Sequence, residues 1–79
     1  MNVAELKQYA INEVKYGVKL HKEHVSTVLY FIDTRDIYQL RLCEQNAFYL
    51  PEKNYFYVIC NELENIIKQQ NESSFGSLH

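Results

Sequence analysis

Val3, Leu6, Ala10 and Val14 recur at intervals of three and four residues, with Ile11 beside them. That is the period of a helix with one apolar face. Asn2 precedes the run and Glu5 follows three residues later, the pairing that closes a capping box at a helix start. Lys15 falls in the last turn, and Gly17 is placed to take a left-handed position after it. The spacing predicts a helix over residues 3–16. The pattern then changes. Val18 and Leu20 alternate with Lys19, which predicts a short strand, and His21–His24 is a polar turn. Val25–Asp33 is dense in β-branched and aromatic residues and predicts a second strand. Thr34, Arg35 and Asp36 make a polar turn. Beyond them Tyr38, Leu40 and Leu42 alternate with Gln39 and Arg41, a third strand over 37–44 that pairs with the second as an antiparallel hairpin.

Phe56, Ile59, Cys60, Leu63, Ile66 and Ile67 return to the helical period, and Pro51 suits a first helical turn. A helix over about 52–70 is favoured over a hairpin of 47–50 with 55–60 followed by a short helix at 62–70. Residues 71–79 are small and polar apart from Phe75 and Leu78, and read as a flexible C-terminal tail after a single domain at 1–70. The expected fold is α+β, in the order α-β-β-β-α, with two helices on one face of a three-stranded antiparallel sheet.

Composition narrows function mainly by exclusion. At 79 residues the chain makes one small domain, with room for one core. The net charge is −2 and is spread evenly: residues 1–24 carry +1, 25–50 carry −1 and 51–79 carry −2. No basic face gathers, so direct nucleic-acid binding is not expected. The longest apolar run, Tyr55–Cys60, is far short of the roughly 20 residues that cross a bilayer. The first residues lack the basic and apolar regions of a secretion signal. Two cysteines, Cys43 and Cys60, make no disulfide framework, and a cytoplasmic location with free thiols is the simpler expectation. Phe, Tyr, Met, Ile, Asn and Lys total 31 residues against 8 for Gly, Ala, Arg and Pro, a bias that points to an AT-rich genome.

Candidate chemistry is sparse. His21 and His24 are spaced as metal ligands can be, but the cysteines are isolated from them and from each other, so no metal site is expected. Cys43 ends a strand and Cys60 lies in an apolar run, which fits small core residues better than a nucleophile paired with histidine. Asp33 and Asp36 bracket a turn, where aspartate bonds nearby backbone, and a role as catalytic acid and base is the weaker reading. Two glycines, Gly17 and Gly76, cannot form a phosphate-binding loop. The expectation is a protein that is not an enzyme and takes no cofactor.

The seven tyrosines say more. A core this size cannot hide Tyr9, Tyr16, Tyr30, Tyr38, Tyr49, Tyr55 and Tyr57 together, and tyrosine is enriched where proteins meet. The second strand is apolar on both faces: Val25, Thr27, Leu29 and Phe31 on one, Val28, Tyr30 and Ile32 on the other. Helices cover one face only, which leaves a contact surface centred on Tyr30 with Val28 and Ile32, extended by Tyr55 and Tyr57. If the helices took that face instead, Leu29 and Phe31 would be outermost. The partner would be another protein, or a second copy pairing through the open sheet as a regulatory homodimer; a small nucleic-acid-associated protein is the remaining alternative.

Two families share this layout. The order α-β-β-β-α resembles that of double-stranded-RNA-binding domains. Their lysine cluster, however, is replaced here by Pro51-Glu52-Lys53-Asn54. The opening MNVAELKQYAINEVKYGVKL, the hairpin VSTVLYFIDTRDIYQLRL and the closing helix resemble the layout of small anti-CRISPR proteins of Firmicute phages, over about residues 1–70. That resemblance implies a protein-binding inhibitor of a host defence protein such as a CRISPR nuclease. Some members present a dense acidic surface, whereas the acids here, such as Glu13, Asp36 and Glu62, are interspersed with bases.

Overall fold

The capping box at the start of the chain forms as its spacing requires. The Asn2 side-chain oxygen accepts from the Glu5 N–H at 2.8 Å, and the Glu5 carboxylate accepts from the Asn2 N–H at 2.9 Å. The first helix of the computed structural model, α1, runs Val3–Lys15 and buries Leu6 and Ala10. The model describes residues 1–77, with side-chain surroundings up to residue 70. Asn2→Ala is expected to lower stability by about 1 kcal/mol, the usual worth of such a cap, as read from a urea unfolding curve. Beyond α1, Gly17 turns to φ 157°, a region open to glycine but not the left-handed helical conformation expected there. The Val18 N–H donates to the Glu13 carbonyl at 2.8 Å and closes the helix end.

The predicted sheet is absent. The described residues form helices and no strand, with α2 at Lys22–Thr34, α3 at Ile37–Asn46 and α4 at Leu50–Ser77. The three strands, the open sheet face and the α+β class are therefore corrected to an all-α fold of four helices. The boundaries of the two longer predicted strands were close, and their conformation was wrong. Val25, Val28, Leu29 and Ile32 lie on one helical face, with Val28 and Ile32 fully buried and the other two partly so. A β-branched residue costs a helix only a few tenths of a kcal/mol relative to the best formers, so burial along a helical stripe outweighs it. The threonines that favour strands fold their hydroxyls back onto this helix: Thr27 donates to the Glu23 carbonyl at 3.0 Å and Thr34 to that of Tyr30 at 3.0 Å.

The turn at residues 34–36 joins helices, not strands. Arg35 takes φ 57° and ψ 39°, a left-handed conformation that costs a residue with a side chain about 1–2 kcal/mol. It lets the Asp36 N–H reach the Phe31 carbonyl at 2.9 Å, while the Asp36 carboxylate accepts from the Gln39 N–H at 3.2 Å and caps α3. Two residues thus end one helix and start the next.

The single long helix favoured for the C-terminal half is present as α4. Tyr55, Phe56, Ile59, Cys60, Leu63 and Ile66 on its inner face are buried and supply half the core. The side chains of the predicted tail, 71–79, lie outside the described residues, and α4 runs past its expected boundary to Ser77.

The helices pack in chain order, α1 on α2, α2 on α3 and α3 on α4, and α4 returns to α1. The Tyr55 hydroxyl meets the Ala10 carbonyl, and the Met1 ammonium approaches Glu62, so α1 and α4 run antiparallel. The arrangement is an up-down-up-down four-helix bundle. Charged groups tie its outside. Lys7 on α1 pairs with Asp33 on α2 at 3.0 Å. Arg41 on α3 reaches Glu44 at 2.7 Å, Glu64 at 2.8 Å and Asn61 at 3.1 Å. Those carboxylates hold the Arg41 guanidinium protonated beyond even its ordinary range.

Candidate protein-binding surface

The five residues expected to form a contact surface are dispersed. Val28, Ile32 and Tyr55 belong to the core, whereas Tyr30 and Tyr57 lie 63% and 50% exposed on two different helices. In a strand, positions 28, 30 and 32 share a face; in α2 the helical period turns Tyr30 outward and its two neighbours inward. Tyr55 is held on three sides. Its hydroxyl donates to the Ala10 carbonyl at 2.9 Å, its ring stacks on Tyr9 at 6.5 Å between centroids, and it meets Phe56 edge to face at 5.2 Å. Burial raises the Tyr55 hydroxyl pKa well above that of a free tyrosine.

The structure builds a different surface at the opposite end of the bundle from the 34–36 turn. From that turn α2 and α3 diverge and leave an open cleft of ≈ 360 Å³. Leu20, Val28, Leu42, Cys43 and Phe56 give it apolar walls, and His24, Thr27, Gln39, Asn46 and Glu52 supply the polar lining. Beside the cleft, α3 gives way to α4. Ala47 is buried and extended, with φ −78° and ψ 126°, and directs the chain outward. Phe48 then stands 99% exposed, Tyr49 51% and Leu50 74%, with exposed Pro51 in the first turn of α4. Scattered exposed apolar residues are ordinary, but a contiguous run at one end of a molecule is a mark of a contact site. Asn46 and Glu52 both line the cleft and bracket the run, so cleft and knob are adjacent.

Sequence reasoning missed the knob because Phe48 and Leu50 entered it only through the less favoured hairpin, and Tyr49 only as one of seven tyrosines. A readable signal was there: Ala47-Phe48-Tyr49-Leu50-Pro51, a connection between two amphipathic helices, contains no polar or charged side chain apart from one phenol.

The remaining candidates sort by their contacts. His21 and His24 meet edge to face, 5.7 Å between ring centroids, on the exposed start of α2. Among the described residues no group of three His, Cys, Asp or Glu side chains is placed to hold a metal ion. Asp33 pairs with Lys7 and Asp36 caps a helix, so the two carboxylates do not face one another as a pair. Both cysteines are free thiols. Burial raises Cys43, and it pushes Cys60 up to about 11, so neither is an activated thiolate. Because the Cys60 thiol loses its proton more readily in the unfolded chain, its contribution to stability is complete at neutral pH. It is lost as the pH rises from about 9 toward 11, and buried Tyr55 acts in the same direction. The melting temperature should therefore fall across that alkaline window, and Cys60→Ala should flatten the fall; a melting temperature independent of pH there would contradict this.

No helix among the described residues is long and apolar enough to cross a membrane. Compared with known proteins, the chain matches no family model, no curated protein and no solved structure.

Proposed function

We propose that this chain is a non-catalytic protein-binding module whose contact surface is the end of the bundle carrying Phe48, Tyr49 and Leu50 beside the α2–α3 cleft. The observation that carries the reading is the 99% exposure of Phe48 within an apolar run. A phenylalanine in water gains nothing from its position until something covers it, and full burial returns about 1.5–3 kcal/mol. The surroundings favour protein over nucleic acid or an anionic membrane. Glu44, Glu52 and Lys53 are the charges nearest in sequence to the knob, which leaves it slightly acidic. Four of the chain's basic groups are engaged by its own acceptors: Lys7 by Asp33, Arg35 by the Asp33 carbonyl, Arg41 by Glu44 and Glu64, and Lys53 by the Glu44 carbonyl.

A host defence nuclease as partner was an expectation drawn from a layout with a hairpin over residues 25–44. With α2 and α3 in its place, the proposal stands on the knob and cleft alone.

The test is affinity capture from a native lysate on three immobilised forms: the wild type, Phe48→Asp, and Tyr38→Ala. Tyr38 is exposed but lies at the far end of α3, eight residues and about 12 Å of helix from Asn46. A protein retained by the wild type and Tyr38→Ala but lost on Phe48→Asp is the expected result. Retention of the same proteins by all three forms would overturn the reading.

A further inference from the structure

We propose that the occupant of the cleft is the Phe48–Leu50 knob of a second copy of this chain, the two copies closing a two-fold dimer; this rests on the reading of that end as the contact surface. Knob and cleft lie on one molecule, next to each other, and each has what the other lacks. The knob is a convex apolar run with Phe48 fully in water, and the cleft is a concavity whose apolar walls include Leu20, Leu42 and Phe56 and whose polar lining faces solvent. Volume agrees. An apolar cavity of about 150 Å³ accepts one benzene ring, so a cleft of ≈ 360 Å³ takes the Phe48 ring with Leu50 or Tyr49 beside it.

Symmetry follows from adjacency. Asn46 lines the cleft two residues before Phe48, so a two-fold axis between the copies brings each knob to the other's cleft, and both contacts form at once. Were knob and cleft at opposite ends, the same complementarity would propagate a filament instead. The area fits a weak, transient pair. Large aromatic side chains bury roughly 150–250 Å² each, so a knob of this exposure hides on the order of 400 Å². The cleft adds much less, because its walls are already largely covered within the chain, Val28 and Phe56 being 2% and 4% exposed. Two such contacts bury roughly 1,000 Å² in all, the low end of specific interfaces. The knob itself carries no charge, and Glu52 and His24 in the cleft lining are the groups whose desolvation the contact must offset.

The experiment is sedimentation equilibrium of the full chain over a concentration series reaching about 500 µM, high enough to populate even a weak dimer. It uses the wild type, Phe48→Asp and Thr27→Trp. The first substitution spoils the knob at a fully exposed position, and the second fills the cleft from an exposed position on α2. Far-UV circular dichroism confirms that each variant remains helical. The wild type should dimerise, and each variant should weaken the dimer about a hundredfold because both contacts are lost. A mixture of the two variants should recover, to within about tenfold of the wild type, since one knob and one cleft survive in the mixed pair and half of the binding free energy lost is regained. A wild type that stays monomeric overturns the pairing and leaves the lysate capture to decide the broader reading. A dimer that survives Phe48→Asp, or a mixture that fails to recover, overturns the knob-in-cleft arrangement.

Discussion

Tyr55→Ala should cost the fold about 3–5 kcal/mol, the range for deleting a large buried aromatic side chain. A chain of this length has on the order of 4–12 kcal/mol of stability in total, so the variant would lose a quarter of it or more and would unfold outright at the lower end of that range. The ring sits where α1 meets α4, 1% exposed, between Tyr9 and Phe56, with its hydroxyl on the Ala10 carbonyl. Tyr55→Phe separates the parts. It keeps the packing and removes one hydrogen bond to a carbonyl within a helix, a loss of about 1 kcal/mol. Urea unfolding curves of both variants provide the check. If Tyr55→Ala lost less than Tyr55→Phe, the α1–α4 seam would not be organised around this ring.

The second large effect separates two conformations of the same segment. Ile32→Asp places a carboxylate at a fully buried position and should abolish folding, because a charge buried without a partner costs several kcal/mol. Tyr30→Asp, two residues earlier and 63% exposed, should change stability by less than about 0.5 kcal/mol. A strand puts residues 30 and 32 on one face, and the two substitutions would then act alike. Circular dichroism and thermal melting of the pair decide. Equal destabilisation would argue against α2 as a helix.

That contrast also marks what could be read from the sequence. The start of α1 was legible because a capping box is local chemistry: Asn2 and Glu5 need only their own backbone. The inner face of α4 was legible because six apolar residues repeat at one period. Segment boundaries in the middle were legible too, since Asp36 ends one element and begins another in any conformation. The conformation between them was not. Over residues 25–33 the composition favours a strand, while the positions of Val25, Val28, Leu29 and Ile32 fit a helix. Composition and period conflict there, and tertiary burial decides for the period. At 37–44 the alternation of Tyr38, Leu40 and Leu42 was misleading, because only Leu40 is fully buried while Tyr38 points to solvent. The proposed contact surface is illegible for the same reason. An open sheet face would expose Val28 and Ile32, whereas the apolar run at 48–50 is set apart only by the helices on either side of it.

The order in which the helices pack has a consequence for speed. Three of the four principal helix contacts join chain neighbours across short connections, and one, α1 with α4, joins the ends. Proteins dominated by such local contacts fold in microseconds to milliseconds, because little chain entropy is lost before each contact forms. The α2–α3–α4 portion can assemble over short loops, whereas the Tyr55–Ala10 bond spans 45 residues and needs the rest in place. The α1–α4 seam should then form late, with low φ-values. Substitutions there would leave the refolding rate nearly unchanged and speed unfolding, so this one seam would set how long the native state lasts.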